Sequence, residues 1–279
     1  VLFRSLGPEL HFALPPIRSY MADDLDGDHK TEVITIAQQS GRAAVANFIS
    51  KSAAPPAGSL QPGQFQVLPL NKTTKARRGM AWADVNHDQA PDLLVAEPES
   101  GQLTIYLQQT DGSLAVGRAF STLAGITDLA VAQSGNSTRI YLLSPEERQV
   151  GVTELDAQGR LPFPTAVPLD GKPLAMAVGP AKPGQKPVLA VILDQEGKRA
   201  LLTRADEGEA KTQPLSEKFK SNPARMAWFD ADQDGLADLV ILIPYEKIKI
   251  LRQVPEGAFE ELDVAPPGGT VEQPWLSAA

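Results

Sequence analysis

Met226-Ala-Trp-Phe-Asp230-Ala-Asp232-Gln-Asp234-Gly-Leu236-Ala-Asp238-Leu-Val-Ile-Leu242 sets a short apolar strand, an acidic loop and a second apolar strand in one run. The same three-part unit occurs at Met80-Ala-Trp-Ala-Asp84-Val-Asn86-His-Asp88-Gln-Ala90-Pro-Asp92-Leu-Leu-Val-Ala96. It occurs again at Met21-Ala-Asp-Asp24-Leu-Asp26-Gly-Asp28-His-Lys30-Thr-Glu32-Val-Ile-Thr-Ile36. Two further copies keep the strands but not the acids. Leu129–Ala132 leads through Ser134-Gly-Asn-Ser-Thr138 to Ile140–Leu143, and Leu174–Val178 leads through Lys182-Pro-Gly-Gln185 to Val188–Leu193.

The copies start at 21, 80, 129, 174 and 226, an average spacing of about 51 residues, close to one four-stranded propeller blade. Further strands complete each copy. In the second they are Leu103–Leu107, whose side chains alternate, and Val116–Leu123; in the fifth they are Lys247–Leu251 and Phe259–Val264. The expectation is an all-β chain, a β-propeller of four-stranded antiparallel blades. It is read as one domain over 1–279, with repeats at 21–79, 80–128, 129–173, 174–225 and 226–265. Leu10–Leu14 before the first repeat and Trp275 after the last read as parts of further blades. With Val1 as its first residue and Met21 as its first Met, the chain is expected to be a fragment.

Composition supports this and removes other classes. Gly and Pro number 22 and 24, too many for coiled coils or helical bundles. No apolar run is long enough to span a bilayer as a helix. Without Cys there is no disulfide, thiolate metal site or cysteine nucleophile, and His11, His29 and His87 are the only histidines. The net charge of −8 argues against a nucleic-acid partner. Eleven of the 34 acids lie in the three acidic loops, so the remaining 23 face 26 bases. The acidity belongs to the loops.

Each loop places side-chain oxygens at positions one, three, five and nine. These are Asp24, Asp26, Asp28 and Glu32; Asp84, Asn86, Asp88 and Asp92; and Asp230, Asp232, Asp234 and Asp238. The backbone carbonyl at position seven (Lys30, Ala90 or Leu236) is available to join them. Alternating hard oxygens on a short curled loop suit Ca²⁺, which takes six to eight of them, better than zinc, copper or Mg²⁺. Up to three Ca²⁺ are expected, one per loop. The spacing follows the first half of an EF-hand loop, but Thr35, Val95 and Ile241 stand where its bidentate Glu would be.

On these residues the chain resembles the FG-GAP/VCBS repeat family, the calcium-loop blades of integrin-α-like propellers. The family's Phe-Gly-Gly-Ala-Pro signature is absent, which favours the bacterial VCBS-like branch. The resemblance implies calcium-stabilised blades on an extracellular, periplasmic or cell-surface protein. It implies a binding, adhesion or scaffold module with a carbohydrate or protein ligand. Two alternatives stand beside it: a propeller domain of a secreted polysaccharide-degrading enzyme such as a lyase, and a structural spacer in a multidomain protein. A lyase needs a cation beside a base, for which Lys75, Arg77 and Arg78 are the candidates. No nucleotide-binding or hydrolase motif occurs, and no catalytic residue is assigned.

The remaining features carry plain structural expectations. His29 and His87 are spacers at even loop positions that point away from an ion. Trp82 and Trp228, two residues before their loops, are expected in the core between blades rather than in a sugar pocket. The basic stretch from Asn71 to Arg78 is expected to be solvated surface.

Overall fold

The computed structural model describes residues 17–23, 32–39, 42–49, 64–74, 78–109, 113–135, 137–180, 184–205, 208–216, 221–246, 248–255 and 257–262. Among them every regular element is a β-strand. Where the sequence reads as one domain, the chain divides into two compact units, Val1–Thr73 with Gln108–Ala115, and Thr74–Leu107 with Val116–Ala279. The smaller unit holds one antiparallel sheet of β1 (Ile17–Asp23), β2 (Glu32–Gln39), β3 (Arg42–Ile49) and β4 (Gln64–Pro69), paired in that order.

The larger unit holds four four-stranded antiparallel sheets. The first is β5 (Met80–Ala83), β6 (Asp92–Glu97), β7 (Gln102–Tyr106) and β8 (Arg118–Ser121). The second is β9 (Asp128–Ser134), β10 (Ser137–Ser144), β11 (Gln149–Glu154) and β12 (Thr165–Val167). The third is β13 (Lys172–Pro180), β14 (Pro187–Gln195), β15 (Lys198–Ala205) and β16 (Ala210–Pro214). The fourth is β17 (Arg225–Phe229), β18 (Asp238–Leu242), β19 (Lys249–Gln253) and β20 (Phe259–Glu261). Each strand pairs with the next in sequence, and the first strands of successive sheets lie side by side, β5 by β9, β9 by β13 and β13 by β17.

The core of this unit lies between the sheets. Side chains alternate along a strand, so a continuous apolar run buries both faces of its sheet. In β14, Ala190 and Ile192 pack toward Met226, Leu239, Ile241 and Phe259 of the fourth sheet. Their neighbours Leu189, Val191 and Leu193 pack toward Tyr141, Leu143 and Val150 of the second. In β10, Ile140 and Leu142 face Leu94, Ala96 and Leu103 of the first sheet, while Tyr141 and Leu143 face the third. Each fully buried Leu or Ile contributes about 1.5–3 kcal/mol, which a sheet exposed on one face could not collect twice over.

The last strands are shorter and wetter than the sequence reading. Val116–Leu123 was expected as a strand, but β8 covers only Arg118–Ser121 and Val116 is 92 % exposed. A fourth strand has a neighbour on one side only, so little apolar surface is available to fix its length. β20 likewise ends at Glu261, and β19 runs from Lys249 rather than from Lys247. The expected loop Ser134–Thr138 is a tight turn at Gly135, with β9 reaching Ser134 and β10 starting at Ser137. Leu10–Leu14 and Trp275 lie outside the described residues.

Candidate metal centre

Loops 84–92 and 230–238 join the first to the second strand of the first and fourth sheets. Their sequences differ at every even position, yet their backbones repeat. The fourth residue is left-handed in both (His87, φ 63°; Gln233, φ 62°), and so is the sixth (Gln89, φ 72°; Gly235, φ 86°). Asp side chains set this curl by accepting hydrogen bonds from backbone N–H groups ahead of them in the chain. Asp84 accepts from Asp88 at 3.1 Å and Gln89 at 2.9 Å, and Asp230 accepts from Asp234 at 3.2 Å and Gly235 at 3.0 Å. The position-three oxygens of Asn86 and Asp232 accept from Asp88 and Asp234. Asp88 and Asp234 accept from Ala90 at 2.9 Å and Leu236 at 2.8 Å.

The ninth residue closes each loop. Asp92 and Asp238 are fully buried and accept from Val85 and Ala231, both at 3.0 Å. The other oxygen of Asp238 accepts from the Gln253 N–H of β19 at 2.9 Å. Burial pushes the Asp238 carboxyl above its usual 3.8; the N–H groups of Gln253 and Ala231 oppose this, and the charges of Asp232 and Asp234 add to it. A carboxylate cluster with that balance is one a cation would relieve.

The donor set fits calcium in the fourth sheet. Asp230, Asp232 and Asp238 each offer an oxygen within 4.8 Å of the others. Oxygens up to about 5 Å apart can share one Ca²⁺ at its usual 2.3–2.6 Å. Asp234 lies outside this trio. In loop 84–92 the acids Asp84, Asp88 and Asp92 form no such trio among the described residues, and the Asn86 amide donates to Asp88 at 2.8 Å. In the first loop, Asp24, Asp26, Asp28, His29 and Lys30 lie outside the described residues. Glu32, however, opens β2 opposite Asp23, the register in which Asp92 faces Ala83 and Asp238 faces Phe229.

Three residues at the loops escaped the sequence reading. Gln133 and Thr138 of the second sheet donate side-chain hydrogen bonds, both 3.1 Å, to the Asp84 carbonyl, and Gln253 holds Asp238. They lie 49, 54 and 15 residues away, so only the pairing of strands and sheets brings them in. Trp228 packs against the core between the third and fourth sheets, its ring 5.9 Å from that of Phe259. Gly179 makes room for it: a Cβ there would meet the indole at 2.8 Å. Trp82 is half-buried on β5 opposite Leu93.

The basic stretch is solvated only in part: Lys72 is exposed. Arg78 is not solvated; its guanidinium pairs with Glu97 at 3.4 Å, with 7 % and 4 % of the two side chains exposed. The Glu97 charge and burial together raise the neighbouring Tyr106 hydroxyl above 10.0, burial having the larger effect, against the pull of Arg78. A charge buried this deeply requires its partner. Lys75 and Arg77 lie outside the described residues.

No protein-family model matches the chain, and no curated protein does. Its fold matches 197 solved chains, too widely shared an architecture to indicate an activity. One is the crystal structure of a functionally unknown protein from Desulfotomaculum acetoxidans, at a TM-score of 0.51 and 11 % identity. The alignment covers 83 % of this chain and 65 % of that one, so this chain spans about two thirds of that protein's length. No helix among the described residues is long and apolar enough to cross a membrane.

Proposed function

We propose that the chain is a run of β-propeller blades of the FG-GAP/VCBS kind, with Ca²⁺ bound in its acidic loops. It acts outside the cytoplasm as a binding, adhesion or scaffold module for a carbohydrate or protein ligand. The observation that carries this is the common geometry of the loops at 84–92 and 230–238, together with the Asp230–Asp232–Asp238 oxygens at calcium-sharing distances. Side-by-side first strands with cores between sheets support the blade arrangement. Asp230, Asp232 and Asp238 would hold the ion in the fourth sheet, and Asp84, Asn86, Asp88 and Asp92 a second, weaker one with one carboxylate fewer. The first loop, Asp24 to Glu32, would take a third. A bound cation ties the ends of its loop and adds its binding free energy to folding. The lyase alternative loses Arg78 to its ion pair with Glu97.

Terbium titration of the full chain, with emission excited through Trp228 and Trp82, tests the loops directly. Saturable emission reversed by Ca²⁺, reduced in Asp230→Ala and in Asp84→Ala, and abolished in the Asp24→Ala/Asp84→Ala/Asp230→Ala triple variant is expected. Emission undiminished in the triple variant, or none at all in the wild type, would overturn the reading.

A further inference from the structure

We infer that the turn between the second and third strands of each sheet in the larger unit clasps the connection leading into that sheet. The clasp of the third sheet, the one of the four built without a charge, is where the unit opens first. In the first sheet Glu99 accepts from the Thr74 N–H at 2.5 Å and from its Oγ1 at 3.1 Å, across 25 residues. In the second, Glu147 accepts from the Ala124 N–H at 2.6 Å, across 23 residues. In the fourth, Glu246 accepts from the Ser221 N–H at 2.9 Å, again across 25. The third sheet keeps the place and reverses the polarity: the Gln195 amide donates to the Asp170 carbonyl at 2.6 Å, also across 25 residues.

A near-constant spacing in turns of different sequence marks a device of the repeat. The acidic loops join first strand to second and these turns join second to third, so the two stand at opposite ends of the second strands. The clasps therefore do not depend on a bound cation. The three charged turns each hold a left-handed residue near the clasping acid, at Gly101, Arg148 and Tyr245. Tyr245 is 72 % exposed, and its φ of 61° is one a bulky side chain adopts only where its neighbours fix it. Glu246 follows it, with its N–H on the Ile243 carbonyl at 3.1 Å and its carboxylate on Ser221. The third sheet has a tighter turn, in which the left-handed pair Glu196 and Gly197 alone joins Gln195 to Lys198. Its acid, Asp194, is engaged by the Gly197 N–H at 2.7 Å and by Arg199 at 3.1 Å, so the clasp falls to the neutral Gln195.

Two of the clasped connections also reach the sheet before their own. The Gly125 N–H donates to the Pro98 carbonyl of the first sheet's turn at 2.9 Å, and Asn222 accepts from Arg199 of the third sheet at 2.8 Å. Releasing a clasp thus loosens the hold between two sheets as well as the connection itself. A hydrogen bond to a carboxylate outweighs one between neutral amides by enough to change the open population about tenfold. The connection into the third sheet is the least secured of the four, and local opening starts there.

Amide hydrogen exchange of the full chain, read by NMR in chelator at fixed pH and corrected for intrinsic rates, tests this. In wild type the amides of 169–171 should exchange faster than those of Ala124 and Ser221. Glu147→Ala should speed exchange at Ala124 by about ten- to hundredfold and leave Ser221 unchanged, and Glu246→Ala should do the converse. Glu147→Gln keeps an acceptor oxygen without the charge and should speed Ala124 by about tenfold, a reading that stands even where the alanine variant does not fold. Exchange at 169–171 no faster than at the other two connections would overturn the inference. So would wild-type rates at Ala124 in Glu147→Gln, or acceleration spread evenly over every connection.

Discussion

Asp238→Asn separates the two roles that one carboxylate combines. In the metal-free chain, Asn keeps one carbonyl oxygen for either Ala231 or Gln253 and turns its amide toward the other N–H. Losing one charged hydrogen bond costs about 1.5–3 kcal/mol. Relief of the buried charge, whose cost holds the Asp238 carboxyl above its usual range, offsets part of that. The net loss should be about 1 kcal/mol, or about 2–4 °C in Tm for a chain of this size. With calcium the variant also loses a ligand. At 10 mM Ca²⁺ and a Kd of about 10⁻⁴ M, occupancy adds about 2.7 kcal/mol, which corresponds to roughly 5–10 °C. Scanning calorimetry should therefore find wild type and variant nearly level in chelator and about 10 °C apart in calcium. The other loops respond equally in both proteins and cancel from the comparison. Equal gaps in the two conditions would refute the reasoning. The pH dependence has a definite sign: the folded carboxyl holds its proton to higher pH than the unfolded one. In chelator, stability should therefore fall as pH rises from 3.8 through the raised folded value, and Asp238→Asn should remove that decline.

Three further outcomes follow from local geometry. Gln89→Gly, which gives the left-handed sixth position of its loop the residue found at Gly235, should stabilise by about 0.5 kcal/mol in urea melts; a loss of stability would show that the Gln89 side chain makes compensating contacts. Gly179→Ala forces a Cβ against the Trp228 indole and should cost about 1–3 kcal/mol with an altered tryptophan emission; an unchanged melt and spectrum would contradict the packing. The Asp156 carboxyl is held below 3.8, chiefly by the Arg160 backbone N–H. Its contribution is present above pH 3.8 and lost as pH falls through the lower folded value, so Asp156→Asn should flatten the acid limb of a Tm–pH profile.

The second strands were legible because each is an apolar run flanked by acids or turns, and burial on both faces preserves that pattern in the sequence. Asp92–Glu97 is buried along its whole length. The fourth strands are not, since an edge with one neighbour needs few apolar residues, and apolar Val116 stands outside β8 although its residue type suits a strand. In loops 84–92 and 230–238, spacing reveals the oxygens, and it also explains the curl, because each acid there bonds an N–H within seven residues. Spacing could not reveal Thr138 or Gln253, whose partners come from register. Arg78 shows the same limit: its basic neighbours suggested a surface, while the acid that buries it stands 19 residues on.

The consecutive strand order of every sheet bears on how such a chain can change length. Among the described residues no strand crosses from one sheet to complete another, so a whole sheet could be duplicated or excised without cutting a ladder of backbone hydrogen bonds. The join would fall in the connection between one fourth strand and the next first strand. Copies added in this way need match their neighbours only in the apolar faces they share. Their loops are then free to diverge one at a time, which is the pattern the chain displays: acids kept in three repeats, and a hairpin turn or a Pro-Gly loop in the two between.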